Sequence, residues 1–168
     1  MQQRQVAVVD IDGVLADVRH RLHHITGGLT GRPKNWGAFF AAAPQDPPLP
    51  EGLEVVRRLA EVCQIVYLSG RPEQCRADTL AWFEAHDLPA GELRLRDSRD
   101  HRPAAVMKVE ALREIAAVAA VIVHVDDDPQ VLAASRAAGF DVLPATWMSQ
   151  EPDEATALQQ AQEGEGRT

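Results

Sequence analysis

The stretch "VVDIDGVLAD" (residues 8–17) decides the fold, because it places Asp10 and Asp12 at the end of an apolar run, with Gly13 directly behind them. If the run is a buried parallel strand, both carboxylates lie at the carboxyl edge of a sheet, where ligands bind. A carboxylate is costly to keep in such a place unless a cation or a reaction uses it. The pair therefore suggests a metal ligand and a nucleophile.

Two other interpretations of this motif are simpler. An Asp-x-Asp-Gly sequence can begin an EF-hand calcium loop, but that loop needs an oxygen ligand at 14, a glycine at 15 and a glutamate at 21. The chain has Val14, Leu15 and Arg21 at these positions, which excludes an EF-hand. An ordinary Asp-Gly turn stays open as an alternative.

Apolar runs of strand length alternate along the chain with segments of helical period. The predicted strands are 6–9, 65–68 and 121–125, with a further strand between 70 and 107. The predicted helices begin at Pro50, after Pro72, near Pro103 and at Pro129, and a short helix carries the aromatic residues of 36–40. This alternation predicts an α/β fold with a doubly wound, Rossmann-like parallel sheet.

We expect one domain over residues 1–148, with an irregular Pro/Gly-rich excursion at 27–50 near the site and an acidic, flexible tail at 149–168. The net charge of the 168-residue chain is −8, and the tail contributes −4 of it. Cys63 and Cys75 fit no zinc or disulfide pattern. The sequence shows neither a signal peptide nor a membrane-length apolar run, so we expect a cytoplasmic protein, with no membrane or partner protein predicted.

A second acidic motif, "VDDDP" (residues 125–129), follows another apolar strand. An aspartate before Pro129 can cap the helix that begins there, and we expect one of the three to do so. A cap needs only one carboxylate, and the other two would repel each other at the same sheet edge unless Mg²⁺ neutralised them. Taken with Asp10 and Asp12, the two aspartates that do not cap the helix therefore predict a magnesium site.

Two further residues fit this site. Ser69, in "YLSGRP", is predicted at the tip of a strand with Gly70 and a helix start behind it, where it can hold a phosphoryl oxygen. The same sequence is also typical of an ordinary turn between a strand and a helix. Lys108, one of only two lysines in the chain, lies in "AAVMKVEAL". A lone lysine on a helix is otherwise a solvated side chain.

Along the chain the motifs follow the order Asp-x-Asp-Gly, serine, lysine and aspartate pair. This order resembles the haloacid dehalogenase (HAD) superfamily of phosphohydrolases, over about residues 5–145. The resemblance implies a HAD-like fold and a phosphoric monoester hydrolase. The two gaps in which this superfamily carries a cap domain are short here, so we expect a minimal cap or none.

The resemblance also implies the roles of the site residues. Asp10 attacks phosphorus to form an aspartyl phosphate, and Asp12 protonates the leaving oxygen and then activates water. Mg²⁺ is bound by Asp10, the main-chain carbonyl of Asp12, and Asp127, while Asp126 supports Lys108 or the waters of the metal. Because a dianionic phosphate repels a carboxylate nucleophile, the metal, the lysine and the serine must neutralise the transferring group.

Within the superfamily the chain resembles the 3′-phosphatase domain of polynucleotide kinase/phosphatase proteins. Arg21, eleven residues after Asp10, and Arg71 stand where that group uses arginines near the substrate. The substrate-binding residues that this likeness implies are Arg21, Arg71, Gly70 and Arg102. Where that group carries acids shortly before the lysine, this chain has alanines at 104 and 105. A Walker A sequence is absent, so this chain alone cannot be the kinase.

An open site would let a phosphate at the end of a polymer reach Asp10. We expect a rim of exposed arginines around it, comprising Arg19, Arg21, Arg32, Arg71, Arg99 and Arg102. Trp36 is then available to stack on a base, although it can equally anchor the excursion to the core. On this view Arg21→Ala abolishes turnover of oligonucleotides and affects turnover of aryl phosphates less.

The leading hypothesis is a Mg²⁺-dependent phosphomonoesterase, for which polynucleotide 3′-phosphate ends are one candidate substrate. Nucleotides, small phosphometabolites and phosphoproteins are alternative substrates. A non-catalytic binding module that has kept the fold is an alternative of a different class.

Overall fold

Five parallel strands form one sheet in the residues described by the computed structural model, 3–26 and 31–148. In chain order they are β1 (Gln5–Val9), β2 (Gln64–Pro72), β3 (Gly91–Arg96), β4 (Ala120–Asp126) and β5 (Val142–Pro144). Their order across the sheet is β3-β2-β1-β4-β5. Because the order reverses at β1, the carboxyl ends of β1 and β4 form the switch point at which such sheets bind ligands.

The strands alternate with helices, as the sequence predicts. The helices of the described residues are α1 (Trp36–Ala41), α2 (Pro50–Ala60), α3 (Arg76–Ala85), α4 (Ala104–Ala116) and α5 (Pro129–Ala137). Short 3-10 turns lie at Arg19–His24, Ala43–Gln45 and Glu73–Cys75. The predicted α/β, doubly wound, HAD-like fold is confirmed, and no inserted cap domain interrupts the described residues between β1 and β4.

The continuous apolar run of β1 is explained by helices on both faces of the sheet. Ala7 and Val9 pack in a core with residues of α2 and α3, whereas Val6 and Val8 pack in another core with residues of α4. All four side chains are buried. Burial of each valine contributes about 1.5–3 kcal/mol, so β1 is anchored on both sides and its carboxyl end is fixed in space.

The structure differs from the predicted strands in two places. β2 continues through Ser69 to Pro72, with a register shift against β3 after Leu68, so Ser69 does not end the strand. β5 was not predicted, because a three-residue strand that ends in proline has no period that can be recognised.

The end of the excursion packs against the segment that follows β1. The Leu49 amide donates to the Leu15 carbonyl at 2.8 Å, and the Asp17 amide donates to the Pro47 carbonyl at 2.8 Å. These bonds bring Asp46 close to the loop that follows β1. Residues 27–30 of the excursion and the predicted flexible tail at 149–168 lie outside the described residues.

Among residues 3–26 and 31–148, none of the helices has the length and hydropathy that crossing a bilayer requires.

Candidate active site

Asp10 follows β1 directly, and its position is fixed by two hydrogen bonds. Its amide donates to the Val125 carbonyl of β4 at 3.0 Å, and its Oδ1 accepts from the Ile11 amide at 2.8 Å. The side chain is 2% exposed. Its second oxygen, Oδ2, is oriented toward Lys108. The carboxylate is thus held at the switch point of the sheet.

Lys108 on α4 is buried, contrary to the solvated alternative. Its Nζ lies 3.0 Å from Oδ2 of Asp10 and donates to Oδ2 of Asp126 at 2.8 Å. Burial acts to lower the pKa of Lys108, but the two carboxylates outweigh it and hold that pKa above its ordinary value. The lysine is therefore a fixed positive charge between the two acidic motifs.

Asp127 completes a cluster of three carboxylates with Asp10 and Asp126. One oxygen from each lies within 4.8 Å of the other two. Oδ1 of Asp127 is buried and has no hydrogen-bond partner among the described residues. Gly13 makes room for this side chain, since a Cβ at that position would lie 2.2 Å from Oδ2 of Asp127. Gly13 also has a φ of +79°, which favours glycine.

The cluster carries an excess of negative charge. Three carboxylates face one lysine, which leaves a net charge of −2 when all are ionised. Burial raises the pKa of Asp10 to about 7, with Lys108 opposing this and Asp126 adding to it. Burial, together with the neighbouring Asp10 and Asp126, raises the pKa of Asp127 well above 3.8. Clustered carboxylate oxygens with an unpartnered atom fit a hard divalent cation.

Asp128, the third residue of the acidic triplet, has a different function. It is the N-cap of α5, and its side chain accepts from the Gln130 amide at 2.8 Å. The prediction that one of the three aspartates caps the helix is confirmed.

A second buried network surrounds Asp12. Arg71 Nη2 lies 2.6 Å from Oδ1 of Asp12, and Arg71 Nε lies 3.2 Å from each of its oxygens. Arg21 Nη2 donates to the same Oδ1 at 2.7 Å. The prediction that Arg21 and Arg71 line an exposed rim is therefore wrong. Their side chains are 0% and 2% exposed, because their charges are satisfied by carboxylates inside the protein.

This pairing sets the protonation state of Asp12. Burial acts to raise its pKa, but Arg71 and then Arg21 outweigh burial and lower the pKa to about 2. Asp12 is consequently a carboxylate near neutral pH. In this form it can accept a proton from water but cannot donate one to a leaving oxygen.

Asp46 belongs to the same network, and the sequence analysis missed it. Arg21 grips it with Nε on Oδ1 and Nη2 on Oδ2, both at 2.7 Å, and Arg71 Nη2 reaches its Oδ2 at 3.2 Å. The carboxylate is 2% exposed. In "PQDPP" this aspartate resembles a turn residue, and no sequence signal marks it as part of the site.

The remaining predicted site residues lie in different surroundings. Ser69 is buried, and its Oγ accepts from the Arg71 amide at 3.1 Å. The carbonyl of Gly70 accepts from Arg96 Nε at 3.3 Å. Arg102 is on the surface, where it pairs with Asp100 at 2.8 Å. Ser69 and Gly70 thus lie on the strand beside β1, whereas Arg102 has an acidic partner of its own.

A cavity of about 380 Å³ opens beside Gly70. One side is formed by Trp36 and Phe40 of α1, and the other by the loop after β3. Trp36 is 7% exposed and stacks on Phe40, with ring centroids 5.8 Å apart. This is the packing expected if Trp36 anchors the excursion, and only its remaining surface faces the cavity.

The doubly wound sheet, with carboxylates at the ends of β1 and β4 and a buried lysine between them, defines a HAD-type phosphatase. The sequence model of one family, described as the polynucleotide kinase PNKP phosphatase domain, matches residues 4–146. The chain belongs to this family, as the sequence likeness predicted. No curated protein matches the chain.

Solved structures share the fold. A chain in the structure of the Pnkp1/Rnl/Hen1 RNA repair complex has a TM-score of 0.70 and 23% identity over 84% of this chain and 42% of its own length. A haloacid dehalogenase-like hydrolase from Streptococcus pneumoniae has a TM-score of 0.61 and 13% identity over 94% and 92% of the two chains. The class C acid phosphatase from Bacillus anthracis has a TM-score of 0.62 and 15% identity over 95% and 80%. The present chain thus spans about two fifths of the repair-complex chain.

Proposed function

We propose that the protein is a Mg²⁺-dependent phosphomonoesterase that forms an aspartyl phosphate on Asp10. The observation that carries this proposal is the cluster of Asp10, Asp126 and Asp127 around Lys108. Its charge is −2 when all four groups are ionised, and Oδ1 of Asp127 has no hydrogen-bond partner among the described residues. Such a cluster is unfavourable in a folded protein unless a cation enters it. Asp10, Asp127 and the carbonyl of Asp12 would hold the metal, with Asp126 in support.

The chain's own residues supply the steps. The Asp10 carboxylate attacks phosphorus, the bond from phosphorus to the leaving oxygen breaks, and that oxygen takes a proton from Asp12. Water then attacks phosphorus, gives its proton to Asp12 and releases phosphate and the Asp10 carboxylate. Lys108 and Ser69 stabilise the phosphoryl oxygens. When bound, Mg²⁺ would supply further positive charge to the same oxygens.

Asp12 has to change partners during this cycle. Its carboxylate form, stabilised by Arg21 and Arg71, suits the second step, in which it accepts a proton. For the first step it must carry a proton and leave the two guanidinium groups. The mechanism therefore requires that the arginines have another acceptor while Asp12 is engaged with the substrate.

The metal assignment leads to a comparison of two adjacent aspartates. We expect Asp127→Ala to raise the Mg²⁺ concentration for half-maximal activity by about 10- to 100-fold, because a ligand is lost. Asp128→Ala should leave that concentration nearly unchanged and lower stability by about 1 kcal/mol through loss of the helix cap. Mg²⁺ titrations of aryl phosphate turnover measure the first effect, and urea unfolding measures the second. Equal Mg²⁺ requirements in the two variants would show that Asp127 is not a ligand.

For the substrate we propose a polynucleotide 3′-phosphate end. The membership in the PNKP phosphatase domain family supports this substrate, and so does the absence of a cap domain among the described residues from β1 to β4. Because Arg21 and Arg71 are buried and do not line a rim, the expected effect of Arg21→Ala changes, however. Arg21 contacts Asp12, so Arg21→Ala should reduce turnover of aryl phosphates as well as of oligonucleotides.

The test compares one oligonucleotide with a 3′-phosphate and the same oligonucleotide with a 5′-phosphate. We expect release of phosphate from the 3′ end in Mg²⁺, with a rate that falls as salt rises. The dependence of this rate on salt concentration should be weak, since the exposed Arg19, Arg99 and Arg102 pair with acids of their own. A 3′-phosphorylated oligonucleotide that stays intact while aryl phosphate is hydrolysed would remove the polynucleotide assignment.

A second candidate substrate is a nucleoside monophosphate. The cavity of about 380 Å³ beside Gly70 has room for one nucleoside. Nucleoside 3′-monophosphates in the same assay distinguish the two candidates. Faster hydrolysis of the mononucleotide than of the oligonucleotide would favour the second.

A further inference from the structure

Asp46 lies in the excursion after β1, far in sequence from the other acids of the site. Its carboxylate accepts two hydrogen bonds from Arg21 at 2.7 Å and one from Arg71 at 3.2 Å. The exposed ring of His20 contributes a further contact to Oδ1 at 2.7 Å. Among the described residues, Asp46 and Asp12 are the carboxylates that the structure pairs with Arg21 and Arg71.

The charges of this network balance only because Asp46 is part of it. Two buried guanidinium groups face two buried carboxylates, so their sum is zero when all are ionised. This neutrality contrasts with the charge of −2 around Lys108. Without the Asp46 carboxylate, Arg21 and Arg71 would share Asp12 alone, and the pocket would carry a net charge of +1.

Each of the two arginines makes its main contact with a different acid. Arg21 forks onto Asp46 through Nε and Nη2, whereas Arg71 grips Asp12 through Nε and Nη2. Each arginine also holds the second acid through Nη2. Arg21 is further fixed by the Phe39 ring, 4.1 Å from its guanidinium carbon. If Asp12 turns toward a substrate, both arginines still have an acceptor.

Asp46 is itself rigidly placed. Its carbonyl accepts from Trp82 Nε1 of α3 at 2.8 Å, and its amide donates to the Ala43 carbonyl at 3.1 Å. The neighbouring Pro47 carbonyl is bonded to the Asp17 amide at 2.8 Å. The backbone of Asp46 is thus tied both to a core helix and to the loop that carries Asp12.

From this geometry we infer that Asp46 is a positioning residue, which retains Arg21 and Arg71 in place while Asp12 leaves them to act on the substrate. The inference rests on the proposed function, because it concerns the step in which Asp12 engages the leaving group. Among the described residues, Asp46 forms no hydrogen bond or ion pair with Asp10, Lys108 or Asp127, and it acts through the two arginines.

The first test is Asp46→Asn, assayed with an aryl phosphate in Mg²⁺. We expect kcat to fall by about 10- to 100-fold, because the arginines hold Asp12 more tightly when it is their only carboxylate. KM should stay the same or fall, and inorganic phosphate should inhibit at lower concentration, because the pocket gains positive charge. A variant that merely loosens the site would instead raise KM and weaken inhibition by phosphate.

Two further variants complete the design. Asp17→Asn is the control. It removes a partly exposed acid that pairs with Arg19, and the variant should behave as wild type. Asp46→Glu keeps the charge and should recover part of the kcat that Asp46→Asn loses, while staying below wild type. If Asp46→Asn does not fold, Asp46→Glu decides alone, with reduced kcat at unchanged KM as the expected result.

Wild-type kcat in the Asp46 variants, or a rise in KM with kcat unchanged, would overturn the inference. Wild-type protein assayed in parallel separates this failure from failure of the proposed function. Wild-type protein that releases no phosphate from any monoester would overturn both.

Discussion

Asp10→Asn is expected to lower kcat for aryl phosphate hydrolysis by at least about a thousandfold, because the attacking oxygen is replaced by an amide. The fold should persist. The amide has nearly the shape of the carboxylate, and Lys108 keeps its hydrogen bond to Asp126 at 2.8 Å. The change also removes one of three crowded acids, so stability without Mg²⁺ should not fall.

The measurement is steady-state turnover in saturating Mg²⁺, together with thermal unfolding. Intact mass must show that the amide has not hydrolysed back to a carboxylate during the assay. Activity within tenfold of wild type would show that Asp10 is not the nucleophile.

The second large effect is expected for Lys108→Met, which removes the charge between Asp10 and Asp126. Breaking a buried ion pair leaves uncompensated charge, and we expect the free energy of unfolding to fall by about 3–5 kcal/mol. Because a divalent cation can replace part of the lost charge, added Mg²⁺ should restore more stability to this variant than to wild type. We expect kcat to fall by about 100- to 1,000-fold, since a charge that stabilises the transferring phosphoryl group is lost.

Urea unfolding with and without Mg²⁺ tests the effect on stability. Lys34→Met is the matched control, because Lys34 is the other lysine of the chain and lies outside the site. Equal stability and equal kcat in the two variants would mean that Lys108 is not part of the charge balance described above.

Much of the fold follows from the sequence because its signals are local. The apolar run before Asp10 is long enough to mark a strand buried on both faces, and Pro50 and Pro129 mark helix starts that the structure contains. The order of the acidic motifs places them at neighbouring strand ends, where the structure brings Asp10, Asp126 and Asp127 together. The strand and turn signals of each motif depend on residues close in the chain.

The second network could not be predicted, because it depends on contacts between distant segments. Arginines in a basic stretch resemble a solvated rim, and only the folded excursion shows that Arg21 meets Asp12 and Asp46 inside the protein. Asp46 lies between prolines in a segment without a hydrophobic period, so no pattern distinguishes it from a turn residue. Burial of Lys108 is likewise decided by the packing of α4 against the sheet and not by its neighbours in sequence.

In the proposed mechanism Asp10 carries the phosphoryl group during turnover. An acyl phosphate can be trapped by quenching the reaction with borohydride, which reduces it to an alcohol and converts the aspartate to homoserine. We expect homoserine at position 10, found by peptide mass spectrometry, only when Mg²⁺ and a phosphomonoester are both present. Homoserine at Asp12 or Asp127 instead, or an unmodified Asp10 peptide from an enzyme quenched during rapid turnover, would show that Asp10 does not carry the phosphoryl group.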